Sequence, residues 1–177
     1  MEVHFMEIFE AITSRRSVRD FKADAVPTEL ADKIAFAGSC AASGMNRQSP
    51  IILEISNKEL RDRLSKMNAA VMGADKDPFY GAPTVLVVLA DRNVPTHVYD
   101  GSLVMGNMML AANALGLGSC WIHRAKEVFD TDEVKAILKA LGVEGDYEGI
   151  GNLAIGYVNG AYPATKARKE NYIFKAE

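Results

Sequence analysis

The sequence predicts an α+β fold in which one mixed sheet lies between helices. Three observations predict it. Helical and extended patterns are both present, but their order does not read as regular βαβ units. The run Thr84-Val85-Leu86-Val87-Val88-Leu89-Ala90 is continuously apolar and flanked by loop residues, as befits a central strand covered on both faces. The stretch 97–115 is apolar nearly all round, so it belongs in a core or an interface. The chain of 177 residues is long enough for a sizeable core. With no internal repeat or low-complexity tract, residues 1–177 read as a single domain.

Phe5, Ile8, Phe9 and Ile12 fall at helical spacing and define a first helix that ends at Thr13-Ser14. Thr28, with Pro27 before it and Glu29 in the first turn, is predicted to cap a second helix running to about Cys40. Residues 51–55 read as a strand. Asn57 is the expected cap of a third helix whose apolar face is Leu60, Leu64, Met67 and Val71. Pro78, Gly81 and Pro83 make 75–83 a loop. After the central strand and the apolar helix, Gly116-Leu117-Gly118 breaks the pattern, and 119–122 reads as a short strand. Asp130 with Glu133 resembles a capping box for a helix bearing Val134, Ile137, Leu138 and Leu141, ended by Gly142. Residues 152–157 read as the last strand, and the tail from 159 onward has little helical pattern.

Cys40 and Cys120 have no metal-ligand spacing and sit in apolar context, so buried free thiols are expected. Free thiols agree with a reducing cytosol, and a cytoplasmic location is expected. Glu2, His4 and Glu7 interrupt the N-terminus before any signal-peptide run forms. The uncharged segment 101–122 has the length of a membrane span. Ser102, Asn107, Asn113 and Ser119 and its glycine break favour a buried helix followed by a strand instead. Asp75, Asp77 and Asp91 are dispersed and suggest no metal site. Gly116 and Gly118 precede a strand rather than a helix and lack the third glycine of a dinucleotide fingerprint. His4, His97 and His123 lie in unrelated contexts, and no nucleophile–base pair is evident.

Positive charge is concentrated at the two ends, in Arg15-Arg16-Ser17-Val18-Arg19 and in Lys166-Ala167-Arg168-Lys169. The net charge is only −3, which argues against a nucleic-acid surface and for a defined anionic ligand. Guanidinium forks and a serine hydroxyl suit a phosphate, and the two ends would form a dianion clamp if folding joins them. Taken alone, the first cluster reads rather as a helix exit, where cations suit the dipole, and the second as a solvated tail.

Two further motifs change that balance. Ala41-Ala42-Ser43-Gly44-Met45-Asn46-Arg47-Gln48-Ser49-Pro50 follows the basic turn by one helix length, and Leu115-Gly116-Leu117-Gly118-Ser119-Cys120-Trp121-Ile122 comes later. With Arg-Arg-Ser-x-Arg-x-Phe and the closing Lys-x-Arg, the chain resembles the FMN-dependent nitroreductase family from about Phe5 to Phe174. The resemblance implies a domain-exchanged homodimer whose tail adds a strand to the partner's sheet. It implies that Arg15, Arg16 and Ser17 contact the FMN phosphate and ribityl chain, with Lys166 and Arg168 as a second phosphate pair. Arg19 matches the cation near N1 and O2 of the flavin, and Cys120, Trp121, Ile122 and His123 match the segment facing its N5 edge. Ala42, Ser43, Gly44, Asn46 and Gln48 match a loop that reaches the flavin from the partner subunit.

There are departures from the family pattern. Ala42 replaces a usual proline, Ser49-Pro50 replaces a common Pro-Trp, and His123 stands where glycine or glutamate is more usual. No contact carries over for 67–79, and the chain is short for the family. The resemblance implies ping-pong hydride transfer from NADH or NADPH through FMN to nitroaromatics, quinones or related acceptors. No certain catalytic side chain is implied, only Arg19 as an electrostatic stabiliser. Dehalogenation or flavin fragmentation, a flavin store or redox sensor, and an anion-binding interaction domain are the competing readings.

Overall fold

The computed structural model describes residues 6–176. Its sheet is built around two neighbouring strands with no solvent-facing side. Strand β2, Thr84–Asp91, is buried from Thr84 through Ala90, and β4, Tyr147–Gly156, is buried from Glu148 onward. Strands buried on both faces require a layer on each side. β1, Pro50–Ile55, pairs with β2, and β3, Gly118–Ile122, pairs with β4, giving the order β1-β2-β4-β3. All four strands run antiparallel to their neighbours. Among the described residues, the sheet is mixed only through an isolated parallel bridge between Ser17 and Ser119.

Alternation along the strands sorts the core into two layers. Leu86, Val88, Ala90, Leu153 and Ile155 face two helices. These are α2, Thr28–Ser39, through Ala31 and Ile34, and α4, His97–Ala114, through Val104, Met105, Met108 and Ala112. Val85, Val87, Leu89, Cys120 and Ala154 face the opposite layer. That layer holds α3, Lys58–Met72, α5, Ala125–Phe129, and α6, Asp132–Ala140. The remaining helix is α1, Ile8–Ser14, and a single 3₁₀ turn spans Gly44–Asn46.

The structure corrects several local expectations. Thr28 is the first helical residue; Pro27 takes the cap position, and no side chain caps α2. Asn57 does cap α3, accepting the Leu60 amide at 2.9 Å. Thr131, rather than Asp130, caps α6, because its hydroxyl faces the Val134 amide. Helix α5 was not read from the sequence: at five residues it is too short to show a periodicity. Cys40 is exposed just beyond the end of α2, whereas Cys120 is buried in the sheet, and both are free. In α1 only Ala11 is buried; Ile8, Phe9 and Ile12 are exposed, and Phe5 lies outside the described residues.

Strand β4 starts five residues earlier than the pattern 152–157 suggests. Glu148-Gly149-Ile150-Gly151 lies outside the strand pattern in sequence, yet its glycines allow close packing. A Cβ on Gly149 would lie 2.3 Å from the Ala125 carbonyl oxygen, and one on Gly151 would lie 2.4 Å from the Trp121 indole nitrogen. The backbone of α5 and the indole therefore rest directly on the strand. Gly149→Ala must push the α5 backbone away, with an overpacking cost of about 1–3 kcal/mol. The expected result is a lower urea midpoint with an unchanged m-value; an unchanged midpoint would show that α5 does not rest on this strand.

Candidate functional site

The basic turn is placed by the free edge of β3. Helix α1 ends where Arg15 adopts an extended ψ of 132°. The chain then runs beside β3, with the Val18 amide donating to the Ser119 carbonyl at 2.9 Å. Buried Val18 anchors this segment, which leaves Arg15, Arg16 and Ser17 half-buried and Arg19 exposed. Further on, Phe21 bridges to Val158, the Lys22 amide donates to Tyr157 O at 2.9 Å, and the Asn159 amide donates to Asp20 O at 3.1 Å.

That pairing brings the start of the C-terminal tail back to the basic turn. Tyr162 accepts a hydrogen bond from the Arg16 amide at 3.1 Å and donates to Asn113 Oδ1 at 2.8 Å. The Arg16 guanidinium donates to Thr165 Oγ1. Lys166 and Arg168 follow in the exposed tail. Among the described residues, no ion pair uses Arg15, Arg16, Arg19, Lys166 or Arg168. The two basic ends thus approach each other within one protomer.

Beside them lies the end of β3. Burial pushes the Cys120 thiol above its ordinary value, and Arg19, a hydrogen bond with Ser17 and Arg15 oppose that shift. A buried thiol raised in this way is a packing group rather than a thiolate nucleophile. Trp121 is half-buried and His123 is exposed. The His123 carbonyl accepts from the buried Asn68 amide at 2.9 Å, and Arg124 turns the chain at φ 72°. Asn68 lies in the region where the sequence yielded no contact.

The other predicted loop, with Ala42, Ser43, Gly44, Asn46 and Gln48, is elsewhere. It leads into β1, at the opposite edge of the sheet. Pro50 pairs with Ala90, which pairs with Glu148, whereas Ser119 pairs with Ile155, which pairs with Thr84. The two regions are separated by three strand spacings across the sheet and six residues along it, a diagonal of about 25 Å. The loop is pinned by Asp100, which accepts from the Gly44 amide and Ser49 Oγ, each at 2.9 Å, and from Thr96 Oγ1 at 3.0 Å. Burial pushes the Asp100 carboxyl upward, but these three hydrogen bonds and nearby His97 hold it below the ordinary carboxylate value.

Asp100, Asn113, Tyr162 and Thr165 escaped the sequence reading. A lone carboxylate at the head of an otherwise apolar helix is the signal that could have singled out Asp100. The tail contacts had no such signal, because Tyr162 and Thr165 become partners only through the fold. Among the described residues, no cluster of histidine, cysteine and carboxylate groups could hold a metal ion, and no helix is long and apolar enough to cross a membrane.

The nitroreductase family model matches residues 12–78 and 69–157. A Bacteroides fragilis nitroreductase solved with bound FMN superposes with a TM-score of 0.87 at 30% identity, covering 97% of this chain and 100% of that one. A Desulfitobacterium hafniense nitroreductase with bound FMN gives 0.85 at 26% identity, covering 98% and 100%. A Methanothermobacter thermautotrophicus relative is 31% identical over 125 residues, 68% of this chain and 62% of its own length. An FMN reductase (NAD(P)H) of Bacillus subtilis is 25% identical over 130 residues, 64% of this chain and 52% of its own length. The chain belongs to the nitroreductase family.

A second carboxylate, Asp77, exposed on one side, pins the loop after α3. Burial raises its pKa, but hydrogen bonds from Ser65, Arg61 and the Gly81 and Phe79 amides reverse the shift and leave it lowered. A carboxylate with a depressed folded pKa stabilises the native state above the unfolded value and loses that contribution as the pH falls. Stability is therefore expected to drop below about pH 4 as Asp77 and Asp100 take up protons. Urea midpoints measured between pH 7 and pH 3 should fall less steeply in Asp77→Asn than in the unaltered chain. Parallel profiles would show that Asp77 does not contribute to the acid sensitivity.

Proposed function

We propose that this chain is an FMN-dependent NAD(P)H oxidoreductase that works as a homodimer with one cofactor site at each subunit interface. The observation that carries the proposal is the separation of the two predicted site segments on diagonally opposite corners of one sheet. A single protomer cannot offer both to one flavin, whereas two copies related by a two-fold axis can do so twice. The FMN-bound nitroreductases and the FMN reductase (NAD(P)H) among its relatives support the FMN and NAD(P)H part of this reading.

The donor set of the first corner fits FMN. Arg15, Arg16 and Ser17, with Lys166 and Arg168 arriving on a tail tied down at Thr165, offer several cations to a dianionic phosphate. None of these cations is committed to a carboxylate among the described residues. Arg19 is the cation for the N1 and O2 edge, and Cys120, Trp121, Ile122 and His123 present backbone to the N5 edge. Ala42, Ser43, Gly44, Asn46 and Gln48 of the second copy close the other side. Residues 1–177 act as one such domain.

When bound, FMN supplies the redox chemistry, accepting a hydride from NADH or NADPH and passing electrons onward. The protein binds, orients and provides the field. Arg19 would place a fixed positive charge beside the N1 and O2 edge, where it would favour negative charge on the ring. Donor and acceptor use the same open face in turn, which gives a ping-pong order. Nitroaromatics, quinones and free flavins are acceptors of suitable chemistry.

The purified protein is expected to be yellow, or to turn yellow with added FMN, and to bleach with NADH or NADPH without oxygen. A chain that stays colourless after FMN addition would overturn the proposal. Arg168→Ala should weaken FMN binding roughly tenfold or more, because charge-assisted hydrogen bonds are the stronger class. Titration of flavin fluorescence checks this, and normal affinity would remove the tail from the clamp. Arg19→Ala should slow flavin reduction in stopped-flow mixing more than it weakens FMN binding. Unchanged reduction kinetics would exclude Arg19 from the role.

A further inference from the structure

We propose that Asp100 is a positioning residue of the cofactor site, holding the loop 44–49 in a strained conformation for use by the partner subunit. The proposal rests on the dimeric FMN reading. Its basis is a conflict within the loop. Met45, Asn46 and Gln48 have φ of 54°, 53° and 50°, three left-handed residues out of four, none of them glycine. Left-handed backbone is costly for residues with a Cβ and persists only where the surroundings enforce it.

The loop does little to offset that cost by burial. Met45 is 85% exposed, and Asn46, Arg47 and Gln48 are exposed too. Its internal backbone bonds are few: the Asn46 amide to Ser43 O at 3.0 Å, the Arg47 amide to Gly44 O at 3.2 Å, and the Gln48 amide to Ser43 Oγ at 3.0 Å; on the exposed side Gln48 Nε2 donates to Asn46 Oδ1 at 3.2 Å and Arg47 Nη2 to Met45 Sδ at 3.5 Å. The enforcing contact comes from below. Asp100 is only 2% exposed, and its two oxygens hold both ends of the loop. Oδ1 takes the Gly44 amide, and Oδ2 takes the Ser49 hydroxyl along with that of Thr96. Ser49 is fixed a second time, its carbonyl accepting from the Asp91 amide at 3.1 Å.

A second observation agrees. A Cβ on Gly44 would lie 2.4 Å from Thr96 Oγ1, so the loop backbone is pressed against the start of α4 with no room for a side chain. The carboxylate therefore does more than finish a helix. It fixes the backbone whose outward face carries Asn46 and Gln48, and these are the groups a partner's ligand would meet. Asp100 touches neither cofactor nor substrate; it acts through the loop.

The test has two parts. In the cofactor-free protein, hydrogen exchange at the Gly44 amide should be at least tenfold faster in Asp100→Ala than in the unaltered chain. Asp100→Asn keeps an acceptor for that amide and should fall between them. Should Asp100→Ala fail to fold, Ser49→Ala removes one donor and serves instead, with faster exchange across 45–48 expected. Unchanged exchange in these variants overturns the clamp whatever the ligand is.

The second part measures FMN affinity in dimers carrying Asp100→Asn on one protomer and Arg15→Ala on the other. Each homodimer should bind FMN roughly tenfold more weakly. In the mixed dimer, one site combines an intact basic turn with an intact loop, so half of the sites should regain the affinity of the unaltered protein. Recovery of half of the sites supports action across the interface; no recovery overturns it, since a general loss of stability cannot produce complementation. If the unaltered chain binds no FMN, the functional proposal fails while the exchange result still decides the clamp.

Discussion

The pairing of β2 with β4 is the constraint on which the rest depends. Both strands are buried on both faces, so neither can supply a polar group to solvent over most of its length. Chemistry is therefore displaced to the edges of the sheet. One edge, β3, receives the basic turn; the other, β1, is entered from the strained loop. Because β2 and β4 lie between them, the two are kept apart by a rigid, dry wedge. The same geometry that makes the core stable holds the two segments at opposite edges of one protomer.

Two carboxylates solve related problems at the margins of this core. Asp77 gathers Arg61, Ser65 and two amides and so folds a proline- and glycine-containing loop against α3. The Arg61 guanidinium also donates to Ala82 O at 3.0 Å and lies over the Phe79 ring. Asp100 does the same for the loop before β1. In each case several directed donors outweigh the desolvation penalty, the condition under which a carboxylate drawn partly or, like Asp100, wholly out of water remains ionised. Irregular backbone near the sheet is thereby fixed without secondary structure of its own.

Much of this was legible in the sequence, for physical reasons that differ by element. β2 announced itself because burial on both faces forces an unbroken apolar run. Helix α3 did so because one apolar stripe and an asparagine cap suffice to define it. The first half of β4 did not, since a glutamate and two glycines give no apolar strand pattern, and their purpose shows only where α5 and Trp121 press upon the strand. The two candidate site segments stood out as motifs, but their distribution over opposite corners did not. That depends on strand order, which no local pattern encodes. Asp100 stayed hidden because its partners are an amide and two hydroxyls, groups too common to form a pattern.

The apolar surface left by the fold bears on the same geometry. Helix α4 was expected to be covered all round, yet only the side bearing Val104, Met105, Met108 and Ala112 meets the sheet. Val98, Tyr99 and Leu103 are exposed on it, as are Phe9 on α1 and Phe36 on α2. Helices α1 and α2 both pack against α4, so these residues lie on helices of the same layer. Large exposed apolar patches are uncommon on monomers and mark surfaces that are covered in use. Under the proposed dimer, a second copy seated on this side would cover the part of the apolar helix that the protomer leaves exposed. The strained loop follows α2 and is clamped to the head of α4, at the margin of that layer. Association would therefore cover the apolar face and deliver the loop to the other subunit in the same step, joining stability to assembly of the site.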